Sequence, residues 1–351
     1  MSFSPSTSTY NPPWSLLLQA KALRAAASLG IGMQNYVSSN GLSPSKTEWI
    51  DAIFGIKQSS KAIRLDIYNP SSNPTSTDTS EGRSGDHKDE PSLRPGLIIF
   101  HGGGFTIGQG TDDCIFAKTS HQYLDNVAIA VSYRLAPENP FPIPVEDCVS
   151  SILHIYNNAE AYGIDKNKII IAGFSAGATL ALASQHIFTF LSTQHYTTEY
   201  SIPPGMDIPK IRGIILVYPL LDYTIPREEK MKSLSDPSHA LSSSLTHLFD
   251  YSYLPREFGY DRKDYRISPS IASDHLIQQL PSICMTVCEY DMLRQEAFDF
   301  ADRLRKMGKD VECNEIGGEK HGWDKPPPVY PKESVQEEYG RIFEVARGWL
   351  D

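Results

Sequence analysis

Five short runs of almost entirely apolar residues recur along this chain, and they constrain its fold more than any other feature. Each has four or five residues, and segments long enough for helices lie between them. Strands that are buried on both faces of a parallel sheet have this pattern. The runs are Leu97–Phe100, Val127–Val131, Lys168–Ala172, Gly213–Val217 and Ile283–Val287.

Helical segments alternate with these runs. Val145–Tyr156, Ala178–Leu191 and Glu296–Met307 have helix-like patterns, and Ala62–Tyr68 alternates apolar and polar residues like a half-buried strand. Such alternation indicates a doubly wound α/β fold, a mostly parallel sheet flanked by helices with right-handed crossovers.

The chain is predicted to divide into four parts. A helix-like pattern covers Trp14–Leu29, a second short segment lies near Trp49–Phe54, and residues 70–95 are rich in Ser, Thr, Asp, Gly and Pro, which predicts a mobile surface loop. The long segment between the last two runs has no clear strand and predicts an inserted cap element. The parts are 1–60, an N-terminal cap segment; 61–218, the first part of the core; 219–280, an inserted cap element; and 281–351, the second part of the core.

Charge and composition exclude several classes of protein. A net charge of −10 over 351 residues argues against nucleic acid or an anionic membrane as partner, because both require clustered Lys and Arg. No run of about 20 apolar residues and no secretory signal are recognised. An odd number of cysteines without export signal favours free thiols, and the cytoplasm is the expected location. A homodimer is possible. The cysteines, which form no metal-binding pattern, are Cys114, Cys148, Cys284, Cys288 and Cys313.

The segment Gly173–Gly177 (Gly-Phe-Ser-Ala-Gly) lies between an apolar run and a helical segment, the context of a nucleophile elbow. A turn this sharp strains its central residue, and small residues two positions away avoid a collision. The helix that follows favours negative charge at its amino end. The spacing therefore predicts Ser175 as a nucleophile, although an ordinary strand-to-helix turn can contain the same residues.

The segment His101–Phe105 (His-Gly-Gly-Gly-Phe) directly follows the first apolar run. Consecutive glycines allow backbone N–H groups to point into a site without obstruction, as an oxyanion hole requires. Gly103 and Gly104 are the expected donors, together with Ala176 of the elbow. His101 is interpreted as a residue that holds the loop and not as the base.

An acid and a base are expected on loops after later strands. Asp291 follows the last apolar run, and His321 follows the strand-like Val311–Ile316 and a Gly317-Gly318 turn. His321 would then take the proton of Ser175 while Asp291 orients its ring, chemistry that needs no metal or organic cofactor. Glu289 is the competing candidate for the acid. Asp299, Asp302 and Asp310 are interpreted as surface charges, and His239, His247 and His275 as pocket-lining or exposed residues.

Taken in order, these motifs resemble the hormone-sensitive-lipase-like (HGGG) branch of the α/β-hydrolases. Tyr133–Glu138, its continuation through Asn139–Pro142 to Val145–Asp147, and Ser268–Asp274 are similar to further signatures of that family. The resemblance covers about residues 95 to 325 and implies an α/β-hydrolase fold with a helical cap, the order Ser, Asp, His, and esterase chemistry on small or medium acyl esters.

The elbow departs from the family in two places. The family commonly reads Gly-Asp-Ser-Ala-Gly-Gly, whereas this chain has Phe174 and Ala178 at the second and last of these positions. Phe174 removes a charge beside the nucleophile, and its effect on the floor of the pocket, and so on the substrate range, is left open.

Three functions are therefore considered. The first is a serine hydrolase that cleaves the carboxylic ester of a small or medium apolar substrate. The second is an amide or lactone hydrolase, or a catalyst of cyclisation or condensation, on the same fold. The third is a ligand-binding receptor without turnover, which the presence of all three triad residues argues against.

Overall fold

The computed structural model describes residues 10–37, 43–70, 92–193, 200–234, 236–325 and 332–351. Most of the predicted loop 70–95 lies outside these ranges. The described strands form one eight-stranded sheet in the order β1-β2-β4-β3-β5-β6-β7-β8. The strands are β1 Lys46–Ala52, β2 Ser59–Tyr68, β3 Arg94–Phe100, β4 Val127–Ser132, β5 Ile164–Phe174, β6 Gly213–Val217, β7 Ser282–Tyr290 and β8 Val311–Lys320.

The predicted fold class is confirmed. Each of the five apolar runs lies within a strand, from β3 to β7, and the pairings among β3 to β8 are all parallel. Only β1 and β2 pair antiparallel to their neighbours. The carboxyl ends of β3, β5, β6, β7 and β8 therefore lie along the same edge of the sheet, where α/β proteins place their sites.

Helices cover both faces of the sheet. Side chains of α3, α4 and α8 share one apolar cluster with one face, and those of α2 and α9 share a second cluster with the other. The helices are α1 Trp14–Val37, α2 Cys114–Leu124, α3 Ile143–Asn157, α4 Ala176–Thr193, α5 Arg227–Lys232, α6 Ser243–Tyr253, α7 Asp274–Gln278, α8 Arg294–Lys306 and α9 Glu333–Arg347.

Two details differ from the sequence prediction. The segment near Trp49, grouped with the N-terminal cap segment, forms strand β1 at the edge of the sheet, where Ile50 and Ala52 are buried and Trp49 is exposed. Because the apolar Trp49 lies on the exposed face of β1, the sequence does not show the alternation of apolar and polar residues that is typical of a half-buried strand. The predicted turn at Gly317-Gly318 lies inside β8, where the pairing with β7 is irregular and the Gly318 amide donates to the Glu289 carboxylate at 2.6 Å.

The segment between β6 and β7 is helical, with α5, α6 and α7 and no strand among its described residues. Helix α6 packs Tyr253 flat on Phe105, with ring centroids 3.6 Å apart. Helix α1 reaches the same region, where Arg24 donates to the Thr106 carbonyl at 2.7 Å and pairs with Glu138 at 2.8 Å. Both elements thus approach the loop that follows β3, and the four-part division of the chain stays a prediction.

His186 ties α4 to the segment before α7 and makes stability depend on pH. Its Nε2–H donates to the Pro269 carbonyl at 3.0 Å, and burial lowers the pKa of this histidine to about 4. The ordinary pKa of histidine is about 6.5. As pH falls below this value, His186 binds a proton in the unfolded chain but not in the folded chain, so the free energy of unfolding decreases.

The pH dependence can be measured with a variant that keeps the hydrogen-bond donor. From pH 7 to pH 5, we expect the free energy of unfolding to fall by about 2 kcal/mol more in the wild type than in His186→Gln. Urea denaturation of both proteins at the two pH values provides the comparison. If the free energy of unfolding fell equally in the two proteins, the pKa of His186 would not be lowered in the folded state.

Candidate active site

Ser175 occupies a strained turn between β5 and α4. Its φ of +50° lies in the left-handed region, which non-glycine residues rarely adopt. The Ser175 N–H donates to the Val217 carbonyl at 2.9 Å, at the end of the neighbouring strand β6. The side chain is thereby held at the carboxyl edge of the sheet, ahead of the amino end of α4.

The two glycines of the elbow are required by close backbone contacts. A Cβ on Gly173 would lie 2.2 Å from the Gly177 carbonyl oxygen, and a Cβ on Gly177 would lie 2.1 Å from the Phe100 carbonyl oxygen. Real Cβ atoms do not approach so closely. Any larger residue would therefore displace the turn or the end of β3.

The glycine loop after β3 lies directly against this turn. A Cβ on Gly102 would be 3.1 Å from the Phe174 carbonyl oxygen and 3.4 Å from the Ser175 Cβ. Gly103 and Gly104 have φ values of +103° and +58°, and no backbone hydrogen bond that the structure describes is donated by either amide. Ala176 is the first residue of α4, so its amide also lacks an intrahelical acceptor. The described backbone hydrogen bonds thus include none donated by the three amides that the sequence predicts as oxyanion donors.

Helix α6 covers this loop. A Cβ on Gly104 would lie 2.2 Å from the ring of Phe249, so the ring packs against the glycine itself. Phe249 is buried. The inserted segment therefore forms a wall beside the expected oxyanion donors.

His321 lies between Ser175 and Asp291. Its Nε2 is 2.9 Å from the Ser175 Oγ, and its Nδ1–H donates to the Asp291 Oδ2 at 2.6 Å. Asp291 is buried, and its Oδ1 accepts the Leu293 amide at 2.9 Å, so both carboxylate oxygens are engaged. The three side chains that the sequence picked out form one hydrogen-bonded line, although 146 residues separate Ser175 from His321.

The other candidates lie elsewhere. The Glu289 carboxylate binds the Gly318 amide, and Asp299, Asp302 and Asp310 are exposed. The three cap histidines are exposed as well; His239 stacks on Tyr290 with ring centroids 4.6 Å apart, next to the acid.

His101 is buried and holds its loop. Its Nδ1–H donates to the Gly102 carbonyl at 2.7 Å, and its ring stacks on Tyr133, whose hydroxyl donates to the His101 carbonyl at 2.9 Å. Burial lowers the pKa of His101 to about 4, so the ring is neutral at pH 7. These contacts agree with its interpretation as a loop anchor.

Comparison with known proteins assigns the family. The family model of the alpha/beta hydrolase fold matches residues 97–325. Bovine (Bos taurus) arylacetamide deacetylase is 30% identical over 276 residues, which cover 66% of this chain and 68% of that protein. The chain belongs to the hormone-sensitive-lipase-like α/β-hydrolases. It is thus an enzyme of the carboxylic-ester hydrolase class.

Further relatives of this α/β-hydrolase agree. Human (Homo sapiens) arylacetamide deacetylase-like 3 is 26% identical over 291 residues, 66% of each chain, so our chain spans about two thirds of the length of these curated relatives. An esterase structure from the archaeon Pyrobaculum calidifontis aligns with a TM-score of 0.71 at 23% identity, covering 94% of this chain and 91% of that one. This structural likeness supports the fold.

In this α/β-hydrolase, the Phe174 side chain is fully buried and faces the core. Its ring packs edge-to-face on Phe116, and the Lys325 ammonium lies 4.0 Å from its centroid. The aromatic side chain therefore acts inside the protein and offers no surface to a substrate.

Sequence reasoning missed three residues around the site: Tyr218, Phe249 and Lys325. Tyr218 directly follows β6, and that position at a carboxyl strand end was the available signal. Phe249 and Lys325 act through contacts between distant segments, for which the sequence has no local signal.

Among the described residues, no cluster of His, Cys, Asp and Glu could hold a metal ion, and no helix has the length and apolarity to cross a membrane.

Proposed function

We propose that the enzyme is a serine hydrolase that cleaves carboxylic esters of small or medium apolar substrates through Ser175, His321 and Asp291. The observation that carries this proposal is the position of His321, within hydrogen-bonding distance of both other side chains. Nucleophile, base and orienting acid in such a line are the arrangement that covalent acyl transfer requires.

Acylation begins at Ser175. His321 Nε2 accepts the hydroxyl proton while the Ser175 oxygen attacks the ester carbon, and the carbonyl oxygen becomes an oxyanion. The amides of Gly103, Gly104 and Ala176 bind that charge; one such donor contributes about 3 kcal/mol to transition-state stabilisation. The protonated His321 then donates its proton to the leaving alcohol.

Deacylation repeats these steps with water. His321 accepts a proton from the water, whose oxygen attacks the acyl carbon, and the proton passes to Ser175 as the acid product leaves. Asp291 accepts the Nδ1–H throughout, which keeps Nε2 as the acceptor and stabilises the charged imidazole.

A second candidate is hydrolysis of acetylated aryl amines. The name of the bovine relative, arylacetamide deacetylase, favours it. The same groups serve here, with His321 donating its proton to an amine instead of an alcohol.

A panel of matched p-nitrophenyl esters and p-nitroanilides with acetyl, butyryl, hexanoyl and decanoyl groups tests the proposal. We expect kcat/KM to be highest for short to medium acyl esters, with a burst of nitrophenol equal to the enzyme concentration if deacylation limits turnover. Faster cleavage of the acetyl anilide would favour the second candidate. No cleavage of any compound would contradict both.

Replacement of Phe249 by alanine is expected to change acyl selectivity. The truncation opens space beside Gly104 for a longer acyl chain. A hexanoyl group has two methylenes more than a butyryl group, and each buried methylene contributes about 0.8 kcal/mol. We therefore expect the hexanoyl-to-butyryl ratio of kcat/KM to rise about tenfold. Tyr251→Ala, an exposed aromatic residue on the same helix, is the control and should leave the ratio unchanged. An unchanged ratio in the Phe249 variant would place the acyl chain elsewhere.

The proposal includes a cytoplasmic location and a possible homodimer. Cys148, Cys284, Cys288 and Cys313 carry free thiols, as a reducing compartment favours. Cell fractionation and light scattering test the two statements.

A further inference from the structure

Lys325 joins three parts of the active site that are far apart in the chain. Its ammonium forms ion pairs with Asp113 and, at 2.9 Å, with Asp324, and it lies 4.0 Å from the centroid of the Phe174 ring. Phe174 directly precedes the nucleophile, and Asp324 is three residues after the candidate base. Asp113 ends the segment that follows the glycine loop.

The Asp324 carboxylate lies at the centre of this contact network. Its side chain is fully buried, and it accepts hydrogen bonds from the hydroxyls of Tyr218 and Tyr339, each at 2.6 Å. Three donors thus hold one carboxylate in place. Since a buried carboxylate needs partners for its charge, the loop around it has little freedom.

The network reaches the candidate base through Tyr218. The Tyr218 ring packs on the His321 ring with centroids 4.7 Å apart, and Trp323 packs edge-on against Tyr218. The Lys325 amide donates to the Gly322 carbonyl at 3.0 Å, which closes the turn directly after His321. The His321 ring and the loop that follows it are therefore both held in place by the contact network around Asp324 and Lys325.

The charge of Lys325 persists across the working pH range. Burial alone would lower its pKa, but the two carboxylates raise it overall. The side-chain carboxylate of Asp113 is fully buried and depends on this cation. A cation beside an aromatic face adds attraction when both are shielded from water.

We propose that Lys325 is a positioning residue, which holds the loop of residues 321–325 against the nucleophile elbow so that His321 stays within reach of Ser175. This role rests on the proposed hydrolase function. A displacement of about 1 Å in a catalytic group lowers turnover by about 100-fold, so a residue that never touches the substrate can control the rate.

Lys325→Met is the direct test, since methionine keeps most of the unbranched apolar side chain and removes its charge. We expect kcat to fall about 100-fold while KM changes less than about threefold, because only the alignment of His321 is lost. Lys325→Arg, which can pair with both carboxylates and lie over the ring, should restore kcat to within about tenfold.

Arg341→Met is the matched control. Arg341 is exposed to a similar degree, 28% against 26%, and also pairs with a buried carboxylate, that of Glu338, but it lies on α9. The kcat of Arg341→Met should stay within about twofold of wild type. Each kcat is calculated per folded molecule, with the folded fraction measured by near-ultraviolet circular dichroism. If Lys325→Met does not fold, Asp113→Asn/Lys325→Met leaves less uncompensated charge and should show the same loss of kcat.

Three results would overturn the inference. Wild-type kcat in a folded Lys325→Met protein, or in the double variant, would remove the positioning role and leave the proposed function intact. An equal loss of kcat in the Arg341 control would show general damage instead of positioning. If the wild type itself has no turnover that depends on Ser175, the proposed function and this inference both fail.

Discussion

Ser175→Ala is expected to lower kcat for the best ester by about 10⁴- to 10⁶-fold, the largest effect of any single substitution in this enzyme. The methyl group cannot attack the ester carbon, so no acyl-enzyme forms, and only the oxyanion donors and substrate binding remain. Initial rates on the p-nitrophenyl esters give the measurement, and the burst of nitrophenol should vanish.

A second serine, in the helix that follows the nucleophile, provides the control. Ser184 is buried in α4, nine positions after the nucleophile, and Ser184→Ala should keep kcat within about twofold of wild type. Substantial turnover in Ser175→Ala would mean that another group, or water activated directly by His321, carries the chemistry.

Asp291→Asn is expected to lower kcat by about 10⁴-fold at neutral pH. In the wild type, the Asp291 carboxylate accepts the Nδ1–H of His321 at 2.6 Å. An amide group can instead donate to Nδ1, which moves the proton of the neutral imidazole to Nε2, where it faces Ser175 and cannot accept. The fold should be unaffected, because asparagine can still accept the Leu293 amide.

Glu289→Gln distinguishes the acid from its nearest competitor. Glu289 lies two positions before Asp291 but binds the Gly318 amide, so its variant should lose less than about threefold in kcat. If Glu289→Gln lost as much activity as Asp291→Asn, the orienting role assigned to Asp291 would be wrong.

The sequence predicted much of this architecture because parallel strands have a simple signature. Five buried runs identified the central strands, and residues that directly follow strands collect at one edge of the sheet. Ser175, Asp291 and His321 occupy such positions, which is why one pattern led both to the fold and to these candidates; their catalytic roles stay predictions until tested.

Contacts between distant side chains were outside the reach of the sequence. Asp113 and Lys325 lie 212 positions apart and meet only because β3, β5 and β8 end at the same edge. Phe249 reaches Gly104 through the packing of an inserted helix whose position no periodicity reveals. The edge strand β1 was missed for a local reason, since it exposes Trp49 and buries only its small and aliphatic residues.

The central claim, that Ser175 is an activated nucleophile, is tested most directly by covalent labelling with a fluorophosphonate followed by peptide mass mapping. We predict one adduct per folded chain, located on Ser175, with none after unfolding in urea and none in Ser175→Ala. Labelling at a different residue, or no labelling of the folded wild type, would contradict the proposed mechanism.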